Sequence, residues 1–206
     1  MTIEELISAV QAKLGVQVDG KAGPQTWAAV YRRIVKPGPL AIDPTGATPA
    51  DMPPVDPRSE KNIATLLPEV RPMARALVQK AAAMGIRIKV ISGFRTYEEQ
   101  AALYAQGRTA PGNIVTNARP GYSNHNFGIA FDIGVFEGNS YLPESPKYGA
   151  VGALGVDIGL EWGGSWKTIV DAPHFQLRPV WAAGLAEKQM LAELRARRES
   201  ESPVYA

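Results

Sequence analysis

Five side chains in this sequence could do chemistry together. His125 lies in Ser123-Asn-His-Asn-Phe-Gly128, Asp132 in Ile129-Ala-Phe-Asp-Ile133, and His174 in Asp171-Ala-Pro-His-Phe175. A carboxylate inside an otherwise apolar strand needs a partner, because burying it unpaired is costly. Two neutral imidazoles and one carboxylate match a catalytic zinc site, with three protein ligands and a fourth position left to water. Asp171 stands three residues before His174. That is where a metal hydrolase needs a carboxylate to take a proton from water and hand it to the leaving amine. Pro173 argues that this segment is extended or a turn. Arg95, in Ser92-Gly-Phe-Arg-Thr96, could offset charge on an oxyanion. Each residue also has a purely structural reading. Asp132 could be an ordinary strand-face carboxylate, Asp171-Ala-Pro a turn, Arg95 an ion-pair partner, and either histidine a core residue. Trp162 and Trp166 read as core or cleft wall.

Composition narrows the chemistry further. The 206 residues include two histidines and no cysteine. Disulfides, thiolate zinc sites, cysteine nucleophiles and three-histidine metal sites are therefore excluded. With 45% hydrophobic and 20% charged residues, the chain should bury a core. A net charge of +2 without any Lys/Arg-rich run gives no case for nucleic acid. No apolar stretch approaches the roughly 20 residues of a membrane span. Nothing demands more than a monomer.

The elements that must position these residues follow from periodicity and turn signals. Residues 1–36 read as a small helical unit. Ile3, Leu6, Ile7, Val10 and Leu14 recur at helical spacing, Thr2 and Glu5 form a capping box, and Asp19-Gly20 marks a turn. Pro24 would open a second helix, with Trp27, Val30 and Ile34 on one face. Seven of the 17 prolines fall in residues 37–57, which favours a semi-rigid linker, taken as 37–61; the other reading is an ordered strap. Residues 62–180 mix both periods. A helical stripe runs from Val70 to Met84 and becomes regular after Pro72. Ile86–Val90 alternates as a strand, and Thr96 with Glu99 caps a helix over 97–107. Residues 108–124 read as a loop, 129–135 as a second strand, 146–157 as a short helix, and Phe175-Gln-Leu177 as a third strand. That succession predicts an α+β domain. Residues 181–206 form a tail with a helix over about 182–199, whose charges read as a solvated face.

Ser123-x-His125-x-x-Gly128-x-Ala130-x-Asp132, then Glu161-Trp-Gly-Gly-Ser-Trp166, then Asp171-x-Pro-His-Phe175, resembles the M15 zinc peptidases. That family includes D-Ala-D-Ala dipeptidases, carboxypeptidases and phage L-alanyl-D-glutamate endopeptidases. The upstream Ser92-Gly-Phe-Arg95 also fits, and the Trp-Gly-Gly-x-Trp segment is nearest the endolysin-type branch. The resemblance spans about 62–179. It implies a small antiparallel sheet flanked by helices and carrying zinc. It also implies His125, Asp132 and His174 as ligands, Asp171 as base and acid, Arg95 as substrate or oxyanion contact, and Ser123 and Trp166 as substrate-binding residues. The family often has Glu at the Asp171 position. Separately, Leu14-Gly15-x-x-Val18-Asp19-Gly20-x-x-Gly23-Pro24-x-Thr26-x-x-Ala29-Val30 is similar to about half of a peptidoglycan-binding type-1 module; the other reading is a helical remnant packed on the catalytic domain.

The function these resemblances imply is zinc-dependent, bacteriolytic cleavage of the peptidoglycan stem peptide at L-Ala-D-Glu. Two alternatives are a D,D-carboxypeptidase trimming terminal D-Ala and a non-catalytic wall-binding protein with structural zinc. Met1-Thr2-Ile3-Glu4-Glu5 lacks a signal-peptide pattern. With that, the resemblance to the family implies a phage-type endolysin, made in the bacterial cytoplasm and acting at the cell wall or periplasm after release.

Overall fold

The computed structural model describes residues 2–14, 18–22, 26 and 53–206. The expected helix from Pro24 with Trp27, Val30 and Ile34, and the linker over 37–52, lie outside the described residues.

Helix α1 (Ile3–Leu14) starts at the expected capping box. Thr2 N donates to Glu5 Oε2 at 2.8 Å, and Glu5 N donates to Thr2 Oγ1 at 3.2 Å. A polar residue, Gln11, ties the helix to the following turn. Its Nε2 donates to Asp19 Oδ1 and Thr26 Oγ1, and its Oε1 accepts from Asp19 N and Gly20 N. Gln11 is buried, whereas Ile3, Leu6 and Val10 of the expected apolar stripe are exposed.

Helix α2 (Pro57–Ile63) occupies the end of the segment read as linker. Asp56 caps it and Pro57 opens it, which suits a first helical position whose N–H would go unbonded. Ser59 and Ile63 are buried, and Ser59 Oγ accepts from Val90 N at 2.9 Å. The packed region therefore begins before residue 62. Helix α3 (Arg71–Ala83) carries Pro72 in its first turn and buries Met73, Ala74, Leu77, Val78 and Ala81.

Five antiparallel strands form one sheet: β1 (Arg87–Ser92), β2 (Ala130–Glu137), β3 (Ser140–Leu142), β4 (Glu161–Trp162) and β5 (His174–Gln176). The order is β1-β2-β5-β4, with β3 beside the far end of β2. Helices α4 (Tyr97–Ala105), with its Thr96–Glu99 capping box, and α5 (Lys147–Asp157) complete the central part. The protein is thus α+β. Strand alternation sorts β2 into two faces. Phe131, Ile133 and Val135 enter the core with Phe175, whose ring stacks on Phe131 at 5.8 Å between centroids. Asp132 lies on the other face, in register with His174. The pairing of β1 with β2 is irregular between Val90 and Ser92, and this bulge sets Ser92 opposite Asp132.

Helix α6 (Glu187–Glu199) is shorter than the expected 182–199, because residues 180–182 form a separate 3₁₀ turn. Its charges are not all a solvated face. Met190, Leu191 and Leu194 pack on Phe127 and Ile129. Arg195 Nη1 donates to Gly121 O at 2.9 Å and Arg198 Nη1 to Asn126 O at 3.1 Å. These contacts bracket the His125 segment. No described helix is long and apolar enough to cross a membrane.

Candidate metal centre

His125 sits in a 3₁₀ turn (Asn124–Phe127) that ends at Gly128 in the left-handed conformation, φ 69°. Only glycine takes that conformation freely, so the chain turns at once from His125 into β2. His174 and Asp132 arrive from paired strands. The side-chain atoms of all three residues meet. His125 Nε2 lies 3.3 Å from His174 Nδ1 and 3.3 Å from Asp132 Oδ1, and His174 Nδ1 lies 3.3 Å from the same oxygen. Both histidines are buried, and Asp132 is the member with an exposed edge.

The second nitrogens explain what this triangle can hold. His125 Nδ1 is 2.8 Å from Gly93 O, a carbonyl that can only accept, so that nitrogen carries the proton and Nε2 is bare. His174 Nε2 is 3.0 Å from Gln176 Oε1, which leaves Nδ1 bare. Three lone-pair atoms then face one another across 3.3 Å. They repel unless a cation stands between them. A tetrahedral ion with bonds of about 2.0–2.1 Å has ligand–ligand edges of about 3.3–3.4 Å, and the donor set therefore fits a divalent transition-metal ion. In the metal-free protein the same closeness also couples the acid–base equilibria of the three groups. Burial pushes the Asp132 carboxyl up, but the two imidazoles beside it outweigh burial and hold it well below the usual carboxylate range. Burial pushes the His174 imidazole down, and Asp132 more than reverses this.

The other expected site residues surround the triangle. Asp171 is not part of it. The Asp171 carbonyl accepts from His174 N at 3.2 Å, and its own N–H bonds Gly163 O at 3.1 Å. Burial raises the Asp171 carboxyl above its usual value, although the nearby His174 works against this. Arg95 bonds Gln100 Oε1 at 2.9 Å through Nη1, and its backbone N–H bonds His125 O at 3.0 Å. It is close enough to Asp171 to oppose the rise in that carboxyl's pKa. The Trp166 ring lies 5.0 Å from the His174 ring, tilted at 48°, as a wall of the site. Ser123 stands at the entrance to the 3₁₀ turn, half-buried, with its carbonyl accepting from Asn126 N. Trp162 is turned away; its Nε1 donates to Ala172 O and its ring packs on the core.

The glycines of the Trp-Gly-Gly-Ser turn have a packing reason. A Cβ on Gly163 would come within 2.6 Å of Asp171 O and 3.0 Å of His174 Cβ, and one on Gly164 within 2.1 Å of the Trp162 ring. Sequence reasoning missed four contributors. Gln100, fully buried, holds Arg95; Gln176, Glu161 and Asn124 stand behind His174. Gln176 had a readable signal: it is polar, two residues beyond His174, and so on the same strand face.

The family model described as VanY, D-alanyl-D-alanine carboxypeptidase, matches residues 64–148. The chain is 39% identical over 124 residues to the peptidoglycan L-alanyl-D-glutamate endopeptidase CwlK of Bacillus subtilis (strain 168), covering 55% of this chain and 74% of that protein. It is 30% identical over 122 residues to the L-alanyl-D-glutamate peptidase of Listeria phage A118, covering 58% of this chain and 40% of that protein. A crystal structure of the Serratia marcescens L-Ala D-Glu endopeptidase ChiX overlays with a TM-score of 0.45 at 19% identity, over 66% of this chain and 95% of that one.

Proposed function

This chain belongs to the VanY/M15 peptidase family, and from that premise we propose that it is a zinc-dependent endopeptidase cutting the L-Ala-D-Glu bond of the peptidoglycan stem peptide. The observation that carries the reading is the triangle of bare ligand atoms from His125, Asp132 and His174 with 3.3 Å edges. The two curated relatives supply the bond, since both are named for L-alanyl-D-glutamate cleavage.

His125 Nε2, Asp132 Oδ1 and His174 Nδ1 are the atoms that would hold zinc. When bound there, zinc supplies Lewis-acid polarisation of the scissile carbonyl and of water. Asp171 accepts a proton from the attacking water as the water oxygen bonds the carbonyl carbon, and returns that proton to the amine nitrogen as the C–N bond breaks. Arg95, aimed by Gln100, faces the negative charge that develops on the carbonyl oxygen or grips a substrate carboxylate. Trp166 screens one side of the site from water, and Ser123 lines the approach. Residues 1–36 serve as a wall-directed unit that raises local concentration through the following linker. We assign the chain to the lytic, endolysin-type branch, acting on bacterial peptidoglycan as a monomer.

Mass spectrometry of purified peptidoglycan after digestion tests the bond. New N-terminal D-Glu is the expected product. Released D-Ala alone would instead assign the carboxypeptidase reaction named in the matching family model.

A further inference from the structure

His174 is backed by a closed ring of side chains. Gln176 is fully buried and shares a strand face with His174. Its Oε1 faces His174 Nε2 at 3.0 Å and also accepts from Asn124 Nδ2; its Nε2 donates to Glu161 Oε2 at 2.7 Å. The other oxygen of Glu161 accepts from Arg178 Nε, and Arg178 Nη2 donates to Glu187 Oε2 at 2.8 Å. Glu187 Oε1 accepts from Asn124 Nδ2, which closes the ring.

The ring has a direction. A carboxylate only accepts hydrogen bonds, so Glu161 draws the Gln176 amide nitrogen toward itself. Gln176 Oε1 must then face His174, and His174 Nε2 must be the protonated nitrogen. Glu187 fixes Asn124 in the same way. Asn124 is buried and its Oδ1 finds no partner among the described residues. That orphaned oxygen shows that the ring, and not the amide's own full satisfaction, sets its orientation.

We propose that Gln176, Glu161 and Glu187 are positioning residues that fix His174 in the tautomer with a bare Nδ1. The start of helix α6 is thereby part of the ion site. The proposal rests on the zinc reading for its consequence but not for its first measurement. In the metal-free full chain, at a pH where both imidazoles are neutral, nitrogen NMR of the two histidines should show His174 protonated at Nε2 and His125 at Nδ1. In Gln176→Met, which keeps bulk and removes the acceptor, His174 should become a mixture of tautomers while His125 stays as it was. Zn2+ affinity, measured by competition with a chelating dye, should fall about 10–100-fold. Glu187→Gln, at a partly exposed side chain, should lower affinity by about tenfold or less without threatening folding. An unchanged His174 tautomer and an affinity within about twofold of the parent in both variants overturns the proposal. A parent that binds no Zn2+ overturns the zinc reading instead, and the tautomer measurement still decides the ring.

Discussion

The two walls of the metal centre orient their imidazoles by different means. On one side the main chain does the work: Gly93 O accepts a hydrogen bond from His125 Nδ1, and His125 O in turn accepts from Arg95 N. On the other side the work is done by side chains, through Gln176 and the ring behind it. A carbonyl cannot be substituted away, so the first wall is exposed to change only through the backbone that carries it. The second can be edited one functional group at a time while the strand stays in place. The first wall is therefore coupled to folding stability and the second to ion affinity.

The largest effect should be the one that ignores this distinction. His125→Ala and His174→Ala each remove a donor from a three-donor set. Each should lose the bound ion, seen as metal content per chain, and drop peptidoglycan hydrolysis to background. Survival of either variant would break the triangle as a site. Asp171→Asn should lower kcat by roughly 10²–10⁴-fold and keep about one zinc per chain. Loss of the metal would instead make Asp171 a ligand.

The next test acts on the backbone-held wall alone. A Cβ on Gly93 would come within 2.4 Å of Thr65 Oγ1 and 2.5 Å of Asn62 O, so Gly93→Ala must displace the strand end or helix α2. We expect a stability loss of about 1–3 kcal/mol, read as a lower midpoint in urea, together with weaker ion binding. Gln176→Met should separate the two quantities. A Gly93→Ala protein that weakens zinc at full stability would erase the contrast.

The smallest effect concerns what supports that wall from behind. Glu60, on the same helix as Asn62, forms a two-point ion pair with Arg75, and this bonding holds its carboxyl below the usual value of 4.5. A carboxyl lowered on folding stabilises the protein above its unfolded pKa and ceases to do so as pH falls through the folded one. Thermal stability of metal-free protein should therefore decline below about pH 4.5. Glu60→Gln should flatten that decline and cost about 1 kcal/mol or less at neutral pH.

The sequence made some of this arrangement plain and hid the rest for physical reasons. Alternation over 129–135 put Asp132 out of phase with its apolar neighbours, and this phase is what turns it toward His174. The Thr96–Glu99 box was likewise a local signal with a local outcome. Helix α2 was masked by composition, since Pro57 lies in a proline-rich run even though Asp56-Pro57 is a sound helix start. Gln100 left no local signal because it is held by Ala118 O, eighteen residues on, and the phase that puts Gln176 beside His174 says nothing of Glu161, its partner from another strand. The contact that demands Gly93 comes from Asn62 and Thr65, about thirty residues earlier. Such long-range demands leave no periodic trace.

The register of one short pairing has a final consequence. Asp132 faces His174 across β2 and β5, and only three residue pairs define that contact. A slip by one residue would turn His174 into the core and Phe175 out of it, so there is no half-built version of the site. Ion binding and closure of this strand pair are then one thermodynamic event. Free zinc at 100 times its dissociation constant should stabilise the closed pair by about 2.7 kcal/mol. The amides of Ile133 and Leu177, bonded to Pro173 O and Ile129 O, would report it. Their hydrogen exchange should slow as zinc is added, making these two backbone protons a gauge of occupancy that needs no substrate.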